Sequence, residues 1–110
     1  KELIFRMNKV LLLITTENNK KAAKKIAKVL LKKKLAACIS LKDIHSIYEW
    51  EGKIEDINEV EITIKSKPKL KNALIVFLQK MLSYDVPQII YKKFNSEKKY
   101  INWVYKSISN

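Results

Sequence analysis

Glycine occurs once in 110 residues, at Gly52, so no glycine-rich loop exists to bring backbone amides against a phosphate. Cysteine also occurs once, at Cys38; an intrachain disulfide is excluded and a reducing, cytoplasmic setting is the expectation. His45 is the only histidine, which rules out the HExxH type of zinc site. Arg6 is the only arginine, so the planar, bidentate group that phosphate and base recognition favours is scarce. Uninterrupted apolar runs such as Val10 to Ile14 are too short for a membrane span or a signal-peptide core. The chain opens on Lys1 rather than Met, which leaves room for a removed targeting segment upstream. With no nucleophile elbow and no local Cys and His pair, an enzyme is not expected.

What the chain has is lysine and aliphatic bulk. Its formal charge is +12, with 47% hydrophobic residues, the composition of one globular domain with a basic, solvated surface. Such a charge attracts polyanions weakly at low salt, but specific nucleic-acid binding is not expected from ammonium groups alone.

Residues 1–8 show no period and read as a flexible lead-in; 9–110 read as a single domain. Val10 to Thr16 is apolar on both phases, a strand needing cover on both faces. From Asn19 to Lys34 the period becomes helical, with Ala23, Ile26 and Leu30 opposed by a ridge of lysines. Leu35 to Leu41 reads as a second buried strand, running into Ser46-Ile-Tyr-Glu-Trp-Glu-Gly-Lys-Ile54. Gly52 marks the tip of a long hairpin there, because a left-handed backbone position costs little at glycine. The return arm, Glu59 to Lys65, alternates strictly, with Val60, Ile62 and Ile64 inward and Glu59, Glu61, Thr63 and Lys65 on the other face.

Ser66 reads as an N-cap with Pro68 in the first turn, leading into a helix whose stripe is Leu70, Ala73, Leu74, Phe77, Leu78, Met81 and Leu82. Gln88 to Tyr91 forms a last strand, Lys93 to Asn95 a turn, and a terminal helix starts near Glu97. The order is that of an α+β, ferredoxin-like βαββαβ sandwich with an extended β2-β3 hairpin and a C-terminal helix. Both long helices fall on one face of the sheet, so the other face must be covered by a protein partner, most simply a second copy.

Several segments together resemble the CutA family of divalent-cation tolerance proteins: Val10 to Thr16, the Leu-Ala-Ala-Cys segment ending at Cys38, the Ser46-x-Tyr48-x-Trp50-x-Gly52 run, Glu61 to Ser66, Tyr84 to Ile89, and Tyr100 with Trp103. The resemblance implies a homotrimer of PII-like architecture with long hairpins reaching onto neighbouring subunits. It departs at Leu82, Ser83 and Gln88, where the family often has His, Pro and Glu, so a histidine and a carboxylate ligand are missing.

In such a trimer Tyr48, Trp50, Glu61, Lys65, Tyr84 and Asp85 would line a cleft between subunits; the competing reading makes Glu61, Lys65 and Asp85 an interfacial ion-pair network. No cofactor is required. A divalent metal or copper ion is the candidate ligand, with Cys38 or Met81, from separate subunits, as its soft donor. Cys38 and His45, an odd interval apart, face opposite ways and cannot share an ion within one chain. The resulting expectation is a non-enzymatic, self-associating protein of metal-ion tolerance, with no membrane contact. The alternative is a PII-like signalling module holding a small ligand in the clefts.

Overall fold

The structure, a computed structural model, describes residues 8–109; the expected lead-in lies outside the described residues apart from Asn8. The elements run β1 (Val10–Glu17), α1 (Lys20–Lys32), β2 (Cys38–Trp50), β3 (Lys53–Ser66), a 3-10 turn (Pro68–Leu70), α2 (Lys71–Met81), β4 (Ile89–Phe94) and α3 (Lys98–Ile108). One antiparallel sheet has the order β2-β3-β1-β4, the ferredoxin-like arrangement.

Alternation along β1 sends Leu11 and Leu13 to the helix face, where they pack with Val60, Ile62 and Ile64 of β3. Ala23, Ile26 and Leu30 of α1 and Leu74 and Leu78 of α2 close that core. Asn19 caps α1 by accepting from the Ala22 N–H at 2.8 Å, satisfying one of the helix's free donors. α3 builds a smaller core of Ile101, Val104 and Ile108 against Val10, with Ala37 and Leu70 beside it. Tyr100 of α3 lies 5.8 Å from the Lys65 ammonium. The second sheet face is therefore covered at one corner, where bareness was expected throughout; Leu12 and Ile14 are half-buried and Ile90 stays 55% exposed.

Three boundaries differ from expectation. Ser66 is not a helix cap: it ends β3 opposite Leu11, fully buried, and its Oγ donates to the Leu35 carbonyl at 2.7 Å. The helix instead enters through the 3-10 turn, with Pro68 in its first turn and no side-chain cap. The expected turn at Lys93 is strand, since Lys93 and Phe94 pair with Leu11 and Val10. β2 begins at Cys38, because Lys34 to Ala37 are used in leaving α1 and crossing to the sheet edge.

The hairpin is closed by Glu51 and Gly52 between the paired Trp50 and Lys53. Their φ values of 51° and 79° are both left-handed, as a type I′ turn requires.

Candidate functional site

Pairing of β1 with β3 stops at Glu17 and Val60, whereas β2 and β3 continue together to Trp50 and Lys53. Residues 44–50 and 53–59 thus form a two-stranded ribbon reaching beyond the sheet, roughly 23 Å long at ~3.3 Å per residue. Ser46, Tyr48 and Trp50 share one ribbon face with Glu55 and Glu59, their phase being fixed by the register Ser46 with Ile57 and Tyr48 with Glu55.

The loop between α2 and β4 comes up against this face. It is tied down by Glu17, which is 1% exposed and accepts from the Ser83 N–H at 3.0 Å and the Ser83 hydroxyl at 2.9 Å. Ribbon and loop enclose a cleft of about 720 Å³, lined by Thr16, Ser46, Ile47, Tyr48, Trp50, Glu55, Glu59, Ser83, Tyr84, Asp85, Val86 and Gln88. Its size lies within the range of small-molecule sites.

Tyr84 is the most perturbed group there. Its hydroxyl oxygen is buried with no hydrogen-bond partner among the described residues. Burial first, then the neighbouring Glu59 carboxylate, hold its pKa far above the ordinary phenol value, so the group is a neutral O–H donor at any physiological pH. Glu59 is itself only 8% exposed. The two groups are close enough to interact without reaching good hydrogen-bond geometry, and a ligand polar atom between them would satisfy both.

Of the residues expected to act together, Tyr48, Trp50, Tyr84 and Asp85 line the cleft, and Glu61 and Lys65 do not. Glu61 sits one pleat further in, opposite Lys42 and Thr16. Lys65 lies towards the far end of β3, between Cys38 and Leu12 and beside Tyr100. The described residues contain no ion pair among Glu61, Lys65 and Asp85. Glu55 and Glu59 were missed, although the alternation that put Glu59 on this face was itself a usable signal.

Metal donors are dispersed. Cys38 is half-buried beside Lys65, and no group of three His, Cys, Asp or Glu side chains converges among the described residues. His45 lies on the opposite ribbon face, its ring nitrogens engaged by Asn58 Oδ1 at 2.7 Å and by Asp56. These contacts, Asn58 first and then Asp56, raise its pKa, because both nitrogens can donate only in the imidazolium. Among the described residues no helix is long and apolar enough to cross a membrane.

Comparison with known proteins agrees with this architecture. A family model described as CutA1 divalent ion tolerance protein matches residues 11–107. Protein CutA of Mus musculus is 40% identical over 88 residues, covering 76% of this chain and 50% of that protein, so the chain matches about half of its length. The divalent-cation tolerance protein CutA of Pectobacterium atrosepticum is 35% identical over 81 residues, covering 72% of this chain and 74% of that protein. The crystal structure of divalent ion tolerance protein CutA1 from Ehrlichia chaffeensis superposes with a TM-score of 0.89 at 32% identity, covering 94% of this chain and 99% of that one.

Proposed function

Because this chain belongs to the CutA1 divalent ion tolerance family, we propose that it acts as a non-enzymatic homotrimer in metal-ion tolerance, binding copper or other divalent ions weakly. The observation that carries the self-assembly is the overhanging ribbon. Isolated two-stranded ribbons are marginal in water, yet this one displays Ile47 at 66% exposure and Ile54 at 72%. Covering each such side chain contributes about 1.5 to 3 kcal/mol, and a neighbouring copy, whose own ribbon needs the same cover, closes the set by symmetry.

Metal binding then belongs to the assembly. Cys38 supplies a soft thiolate and the cleft supplies hard carboxylate oxygens from Glu55, Glu59 and Asp85, two donor types that favour different ions. Calorimetric titration of copper and zinc into the assembled protein, beside Cys38→Ser, tests this. Saturable copper binding that weakens at least about tenfold in Cys38→Ser, a loss of ~1.4 kcal/mol, supports the reading. No saturable heat with either ion in the wild-type assembly overturns it.

The buried, unsatisfied Tyr84 hydroxyl favours a second reading, a PII-like module holding a small polar ligand in the cleft. Trp50 lines that cleft, so its fluorescence should respond to nucleotides or metabolites at micromolar levels if this reading holds. The single cysteine favours a cytoplasmic setting, which cell fractionation checks.

A further inference from the structure

A second concavity lies at the opposite end of β1, where Lys9 enters the strand, Lys67 and Lys69 leave β3, Lys93 crosses on β4, and Tyr105 of α3 forms a wall. It encloses about 430 Å³, and among the described residues no carboxylate lines it. Lys67 is the informative residue. It is only 9% exposed, its ammonium stands 5.5 Å from the Tyr105 ring centroid, and no described carboxylate forms an ion pair with it.

Lysine is almost never this buried without a counter-charge, and a ring face replaces only part of the lost hydration. Burial and then Lys69 push the Lys67 pKa down, the direction expected where the cation lacks its anion. The wall is held in place, since the Tyr105 hydroxyl donates to the Lys9 carbonyl at 3.0 Å.

We propose that this pocket binds a small oligophosphate, such as a di- or triphosphate chain, on Lys67, with Lys9, Lys69 and Lys93 completing the positive lining. The chemistry follows from the donor type. Lysine ammonium groups bind phosphate as compact point charges, without the bidentate geometry of guanidinium, so the anion that gathers several of them is the one of highest charge density, a phosphate chain. The volume exceeds what one orthophosphate fills, which favours a chain of phosphoryl groups. The site is independent of the proposed metal-tolerance role, and it differs from the diffuse attraction of a +12 chain in depending on one buried residue.

Isothermal titration of the full chain with tripolyphosphate, orthophosphate and citrate at about 150 mM salt, where diffuse attraction is screened, tests the proposal. Expected are one tripolyphosphate per chain, affinity at least about tenfold above orthophosphate and citrate, and a further loss of about tenfold or more in Lys67→Gln. Lys93→Gln should weaken binding too, which guards against misfolding of the buried variant. Lys28→Gln, the same charge change on the outer side of α1, should alter affinity less than about twofold. The absence of tripolyphosphate binding overturns the proposal. So does equal weakening in Lys28→Gln and Lys67→Gln, which would reveal net-charge attraction only, or citrate binding as tightly as tripolyphosphate.

Discussion

Scarcity of glycine leaves its mark on individual residues. The described backbone has left-handed positions at Lys34, Glu51 and Gly52, and only the last is the residue that tolerates them without strain. Lys34 closes α1: its N–H donates to the Leu31 carbonyl at 3.1 Å, and the Leu35 N–H reaches back to Leu30 at 3.0 Å. This is the Schellman pattern, in which glycine usually occupies the left-handed place. Lys34→Gly is expected to stabilise the protein by about 1 kcal/mol. Gly52→Ala is expected to destabilise it by a similar ~1 kcal/mol, through the backbone alone, since an added Cβ would meet nothing within 4 Å. Denaturant midpoints at one fixed protein concentration check both signs; a stable Gly52→Ala would show that the turn can change type without loss.

At the level of elements, the α2-β4 loop owes its position to a single buried acid. Glu17 accepts two hydrogen bonds from Ser83, and such bonds to a charged acceptor are each worth roughly 1.5 to 3 kcal/mol. Ser83→Ala removes the hydroxyl donor and should cost about that much, with faster amide exchange confined to the loop carrying Tyr84. Ser83→Pro removes the N–H as well and should cost more. Hydrogen exchange of the loop amides in the two variants checks the order; unchanged protection in both would mean that packing rather than Glu17 places the loop.

Much of this layer was legible beforehand. The both-phase apolar run of Val10 to Thr16 and the strict alternation of Glu59 to Lys65 each allow one structure; the helical stripe expected from Leu70 to Leu82 is buried at Leu74, Leu78 and Leu82, whereas Ala73 and Met81 are exposed. Ser66 misled because serine before proline is a good capping signal, while its actual partner, Leu35, is 31 residues away and no local pattern reveals it. Lys93 and Phe94 looked like a turn because an edge strand needs no apolar face of its own. The cleft was half legible. Tyr48, Trp50, Tyr84 and Asp85 were expected together, but whether Glu59 or Glu61 joins them depends on where β1 stops, a fact of tertiary register.

The whole molecule is elongated, 51 × 24 × 22 Å, because its hairpin outruns the sheet. Exposed Ile47, Tyr48, Trp50 and Ile54 on the ribbon, with Ile90 and Phe94 on the β4 edge, form the kind of unpartnered apolar surface that soluble monomers rarely keep. α3 shelters only the corner around Val10 and Lys65. In the proposed trimer a neighbouring copy would supply the remaining cover. Sedimentation equilibrium of the full chain, diluted to about 1 µM so that weak association is lost, measures this directly. The expected result is a folded species of three times the 12.9 kDa chain mass. A folded species of one chain mass would contradict it.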